Sequence, residues 1–197
     1  AQYVVSNNCG NISINNTTIN AGSNANQFAF DVCGYAKYTA GVTVTVSGTS
    51  VINGKVEISK SAGNTEPMKL NITGGTFNGD LKVDASVGTE NAKSIISVSG
   101  GTFSDPSALK YMKANANVNI KLTADKTCPG FKTTSGQTLT MDLGGKILTL
   151  ADPTVGSTGT ETNSCQLLEG SNVTFKNGTL KSDNNKIMIQ NYCNLTL

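Results

Sequence analysis

The chain has 197 residues, a formal net charge of +2 and only 14% charged residues. It contains no His, Trp or Arg, so its 15 basic residues are all lysines, and these alternate with acids instead of clustering. That balance leaves no basic stripe to follow a phosphate backbone, no run of 18 apolar residues to cross a bilayer and no imidazole for a zinc site, which excludes nucleic acid and membrane insertion as partners.

Turn-closed segments with an alternating apolar pattern recur along the chain. In order they are 11–14 (NISI), 42–46 (VTVTV), 55–59 (KVEIS), 69–73 (KLNIT), 80–84 (DLKVD) and 95–99 (IISVS), then 117–123 (NVNIKLT), 138–143 (TLTMDL), 147–150 (ILTL), 172–175 (NVTF), 186–190 (KIMIQ) and 194–197 (NLTL). Each has a period of two and ends in Gly, Asn, Asp or Ser, the signature of a short strand stopped by a turn. Strands this short need neighbours on both sides. Two all-β arrangements compete, an antiparallel sandwich or barrel and a parallel β-helix. The dipeptides Asn53-Gly54, Asn78-Gly79 and Asn177-Gly178 suit two-residue hairpins, but their flanks do not.

The flanks align as coils instead. FAFDVCGYAKYTAGVTVTVSGTSVING (28–54), KVEISKSAGNTEPMKLNITGGTFNG (55–79) and DLKVDASVGTENAKSIISVSGGTFSD (80–105) each last about 25 residues and end on a Gly- or Asn-containing corner. ITGGTFNG at 72–79 and VSGGTFSD at 98–105 then become the same corner and core rung in successive coils, with Phe77 under Phe103. One helix is expected, in DPSALKYMKANAN at 105–117, with its body near 106–115: Asp105 is the N-cap, Pro106 the first helical residue, and Leu109 and Met112 share the buried face. The sequons at Asn11, Asn15, Asn16, Asn71, Asn172, Asn177 and Asn194 are read as turn and strand-face residues, because Asn and Thr are equally common where no sequon exists. The first ten residues have neither a basic nor a long apolar stretch and are not read as a signal peptide.

TLTMDLGGKILTL (138–150), followed by SNVTFKNGTLKS (171–182), resembles the coils of right-handed parallel β-helix proteins of the pectate-lyase-like superfamily. The GGTF units resemble tandem surface or fibre repeats of gut bacteria and their phages. The resemblance implies an all-β, right-handed parallel β-helix solenoid with one short helix near 106–115. In the resembling repeats such a helix follows the last GGTF coil and closes the cylinder. Residues 1–117 then read as the second half of a β-helix unit and 118–197 as the first half of another, together one continuous solenoid within or between subunits.

Three functions compete on this scaffold. Lyases and hydrolases of the resembling fold use calcium-binding carboxylates with a basic residue, often Arg, or a cluster of aspartates. Here Arg is absent and the carboxylates, Asp183 among them, are scattered over different coils; Asp80 and Asp84 share a strand face and could pair with Glu57. No catalytic, cofactor or metal residue is assigned, and the expectation is a protein that is not an enzyme. Carbohydrate binding is the second reading, of a tailspike or adhesin type that binds or depolymerises polysaccharide, with Tyr35 and Tyr38 in CGYAKYTAG as candidate glycan contacts.

The third reading, favoured here, is a self-assembling structural protein. YVVSNNCGNISI near the start and IMIQNYCNLTL at the end follow one template of apolar strand, Asn and Cys corner and alternating strand. Coils without a lid expose a row of unpaired backbone groups, and a head-to-tail contact that does not close propagates as a fibre. The expected interface is Tyr3, Val4, Val5 and Cys9 on one side and Ile187, Ile189, Cys193, Leu195 and Leu197 on the other, in an extracellular, cell-surface or virion fibre. The partner is a second copy of the chain, with surface glycans as a further class. Five cysteines leave an odd thiol. Cys9 and Cys193 could form a disulfide across the junction, or the cysteines could form a ladder of buried thiols extended by Cys165.

Overall fold

The computed structural model describes residues 2–22, 24, 26–182 and 186–197, which form an all-β chain of two compact units, 1–102 and 103–197. In the first unit the strands come in successive sets. β1 (Tyr3–Val5), β2 (Gly10–Asn15) and β3 (Thr18–Asn20) are followed by β4 (Phe28–Gly34), β5 (Val42–Ser47) and β6 (Val51–Asn53). Next come β7 (Lys55–Lys60), β8 (Met68–Ile72) and β9 (Thr76–Phe77), then β10 (Leu81–Val83), helix α1 (Thr89–Ile95) and β11 (Ile96–Phe103). Strands pair with their counterparts in the next set: β1-β4-β7-β10 in one sheet, and β2-β5-β8-β11 and β3-β6-β9 in another. The ladders are parallel, as between Val44 and Leu70 and between Leu70 and Ile96. Connected strands that pair in parallel require a crossover of a dozen or more residues, so the Asn-Gly corners are not hairpins. The sandwich alternative is thereby set aside; stacked parallel sheets are consistent with a solenoid.

The alternating pattern has a direct physical reading here. Val42, Val44 and Val46 are buried while Thr43, Thr45 and Ser47 are partly exposed, and Leu70 and Ile72 repeat the pattern one coil on. Apolar rows therefore run across the coils, with burial of each such side chain contributing about 1.5–3 kcal/mol. The doubled GGTF falls where expected. Gly75 and Gly101 both have positive φ, at 92° and 113°, a conformation that favours glycine, and the Thr102 amide donates to the Gly75 carbonyl at 2.9 Å. Phe77 lies beside Ile52 of the preceding coil, and Phe77 and Phe103 are both buried.

The second unit begins with a 3₁₀ turn at Pro106–Tyr111, followed by β12 (Met112–Lys121), β13 (Lys126–Pro129) and β14 (Phe131–Thr133). Then come β15 (Thr138–Asp142), β16 (Ile147–Ala151) and β17 (Asn163–Leu167), β18 (Asn172–Lys176), β19 (Thr179–Ser182) and β20 (Ile187–Asn191), and finally β21 (Asn194–Thr196). Its strands form three parallel sets, β12-β15-β18-β21, β13-β16-β19 and β14-β17-β20.

The helix expected near 106–115 is shorter than its sequence suggested. Asp105 caps it by accepting the Ser107 amide at 2.8 Å and Pro106 occupies its start, but the helical turn ends at Tyr111 and residues 112–121 are extended. Alternation wins: Ala116, Val118 and Ile120 are buried on one face, and Pro106, Ala108 and Tyr111 are the buried helical residues instead of Leu109 and Met112. Helix α1 was not expected, because Gly88 supplies no side-chain cap and Ala92 is its only fully buried residue, so no apolar stripe marks it.

Polar side chains also stack from coil to coil. The Asn53 amide donates to Asn20 Oδ1 and the Asn78 amide to Asn53 Oδ1, each at 2.7 Å. In the second unit the Asn194 amide donates to Asn172 Oδ1 at 3.0 Å, and Gln190 Oε1 accepts from Asn163 and Gln166 at 2.7 and 2.9 Å. Such amide rows add hydrogen bonds along the stacking direction that the backbone alone does not make.

Candidate functional site

The outermost coils carry the residues expected at an assembly interface, and several of their apolar positions are more open than their partners one coil in, although Ile14 and Ile19 of the first coil are buried. Val5 stands in register with Phe30, which is fully buried, yet Val5 is half-buried; Tyr3 is half-buried and Val4 is 53% exposed. Ile12 is half-buried where its neighbour Val44 is buried. At the other edge Leu195 is half-buried beside buried Val173, and Ile189 is half-buried beside buried Cys165. Ile187 is 42% and Leu197 80% exposed. Among the described residues, β1, β2 and β3 at one edge and β19, β20 and β21 at the other are bonded on one side only, as are β10, β13 and β14.

All five cysteines are free. Cys9 is exposed, Cys33 and Cys193 are half-buried, and Cys128 and Cys165 are buried. The expected ladder through Cys165 and Cys193 does not form, because Cys165 stands in register with Ile189 and Phe131. Burial pushes the Cys128 thiol up to about 12 and the Cys165 thiol higher still, so both remain neutral.

One face of the sheet β1-β4-β7-β10 carries a row of charged and polar side chains. The register places Asp31 beside Glu57 and Glu57 beside Lys82. Glu57 accepts from the Tyr3 hydroxyl, and the Lys82 ammonium lies 3.4 Å from its carboxylate and 5.0 Å from the centre of the Phe28 ring. Tyr3 stacks on Phe28 with centroids 5.3 Å apart. Asp31 accepts the Asn7 amide at 2.7 Å and the Ser6 hydroxyl at 3.1 Å. Burial raises the Asp31 pKa above the usual carboxylate range, against the pull of those two donors. Burial, then the Glu57 hydrogen bond, raises the Tyr3 phenol. The row ties outermost β1 and its corner to β4, β7 and β10. Glu57 therefore has a different neighbourhood from the one read in sequence: Asp84 instead accepts the Ser86 amide at 2.8 Å, and Asp80 contributes its backbone carbonyl to Val56. The aligned coils put Glu57 level with Lys82, but Asp31 lies one residue further along its own coil and reaches Glu57 only through the register shift between Phe28 and Phe30, which the sequence does not show.

Tyr35 and Tyr38 lie on the loop between β4 and β5, are 44% and 40% exposed, and have centroids 5.8 Å apart at 46°. Among the described residues no group of three or more His, Cys, Asp or Glu is placed to hold a metal, no helix is long and apolar enough to cross a membrane, and Asp183 lies outside those residues. No family model, curated protein or solved structure matches the chain.

Proposed function

We propose that the chain is a right-handed parallel β-helix of the pectate-lyase-like type whose outermost coils stack head to tail on further copies, building an extracellular, cell-surface or virion fibre. The observation that carries this reading is the contrast in burial between equivalent core positions, Val44 against Ile12 and Val173 against Leu195. Apolar core positions left half open at bonded-on-one-side strands gain both area and hydrogen bonds when another coil covers them. The edges Tyr3–Asn15 and Ile187–Thr196 follow one strand, corner and strand arrangement but are different surfaces, so their contact is head to tail and, stacked coil on coil, runs on as a filament. A complete cylinder then spans the junction, with residues 118–197 of one copy continued by 1–117 of the next. Few charges and many Asn, Thr and Ser on outward positions suit a stiff, hydrated rod.

Electron microscopy and sedimentation of the purified chain test this directly. Rods whose length grows with concentration are expected, and mild oxidation should link Cys9 of one copy to Cys193 of the next, a link lost in Cys9→Ser. Monomers alone at high concentration, or compact trimers, would sink the proposal.

A further inference from the structure

The loops on one corner of the first unit form a surface that stacking does not use. The loop between β4 and β5, the loop between β7 and β8 and the segment from Asp84 through α1 lie on consecutive coils. They are in direct contact: the Ala36 amide donates to the Ser61 hydroxyl at 2.7 Å, and the Lys60 amide to the Ser86 hydroxyl at 3.1 Å. Gly34 packs so tightly on the second loop that a Cβ there would meet Asn64 Nδ2 at 2.4 Å and Met68 Sδ at 2.7 Å.

Between the second loop and α1 is a cleft of about 320 Å³. Asn64, Thr65, Asn91 and Ser94 give it amide and hydroxyl groups, and Lys60 and Glu66 place one charge of each sign on it. The buried Met68 and Val87 supply its apolar part. Asn64 Oδ1, in the wall, is buried without a hydrogen-bond partner, an unmet acceptor of the kind that costs about 1–3 kcal/mol. Gly34, which packs on Asn64, ends β4 and leads directly into the loop that carries the exposed Tyr35 and Tyr38.

We infer that this corner is a binding site for a neutral oligosaccharide, taken by amide and hydroxyl contacts in the cleft and by an aromatic surface on the adjacent loop. Charges of opposite sign cancel there, so neither a polyanion nor a polycation is favoured, while neutral hydroxyl-rich chains match the amides and pack their apolar ring faces on aromatic side chains. The site is independent of the fibre proposal, since neither edge strand contributes to it.

The test is calorimetry of the whole chain against malto-, cello-, xylo- and mannohexaose, with oligogalacturonate and a neutral hexapeptide as comparators. At least one neutral hexasaccharide is expected to bind, and Tyr38→Ala and Thr65→Ala to weaken it at least about tenfold, while Tyr192→Ala binds as the parent does. Amide NMR shifts of the unsubstituted chain, confined to residues 60–66 and 87–95 together with the Tyr35–Tyr38 loop, give the same answer without relying on a variant's folding. The inference is overturned if none of the neutral sugars binds, if only oligogalacturonate or the peptide does, or if the shifts fall elsewhere. Rod length by electron microscopy should be the same in Tyr38→Ala, which separates this site from the stacking surfaces.

Discussion

Replacing Leu70 and Leu195 by alanine measures how much each coil position is worth. Leu70 is fully buried, with Val44 and Ile96 as its flanking partners in the parallel ladders, so Leu70→Ala removes a core side chain with little room to collapse. The expected cost is about 2–5 kcal/mol, a large share of the roughly 5–15 kcal/mol that holds an ordinary domain together. Leu195 is half-buried and has Val173 on one side, so in the separate molecule its loss should cost about 1 kcal/mol. Urea unfolding followed by circular dichroism, at concentrations too low for rods, reads both values. In the assembled state the order of importance changes. Under the proposed stacking Leu195 is covered by the next copy, and Leu195→Ala should raise the concentration needed for rods by about fivefold per kcal/mol lost. If Leu70→Ala costs less than about 1 kcal/mol, or Leu195→Ala unfolds the separate molecule as readily as Leu70→Ala does, the burial argument fails.

Three other outcomes follow from named contacts. Burial pulls the Asp105 pKa up, but the Lys126 ammonium at 2.6 Å and the Ser107 donors outweigh it and hold the carboxyl below its usual range. Its stabilising effect is present above the ordinary Asp pKa and lost as pH falls through the lowered value, so Asp105→Asn should cost about 1.5–3 kcal/mol at neutral pH and progressively less as urea melts are taken to acid pH. The buried thiols act at the opposite end of the scale: their stability is complete below the ordinary thiol pKa and lost as pH rises from about 9 towards 12, so Cys128→Ala should flatten the alkaline limb of a thermal-melt series. Gly79→Ala would place a Cβ 2.3 Å from the Gly54 carbonyl oxygen, and should lower stability by about 1–3 kcal/mol in denaturant titration.

The strands most legible in sequence were those with one wet face. All twelve alternating segments overlap strands, mostly with polar residues outward as in Val42–Ser47, although Ile95 ends α1 and Glu57 of β7 is buried. The coil boundaries at 28, 55 and 80 also match the observed stacking, since a repeat of about 25 residues is imposed by the ladder itself. Strands buried on both sides were harder to see. Every residue of β17, Asn163–Leu167, is buried, and its polar side chains are satisfied by Gln190 and Ser182 of other strands, which a local pattern cannot reveal. Helix α1 and the cleft beside it depend on loops brought together by stacking. The candidate edge residues could be named because they repeat a template, while the Asp31–Glu57–Lys82 row required a register that single segments do not contain.

The Asn20–Asn53–Asn78 row has a further consequence. Asn20 and Asn53 each accept a hydrogen bond from the later coil, and the NH₂ groups of Asn53 and Asn78 each donate to the earlier one. The row is thus a chain of dipoles with a sense of direction, and turning one member around would set two NH₂ groups or two carbonyls against each other. A copy that continued such a row would have to face as its predecessor does, whichever end it joined.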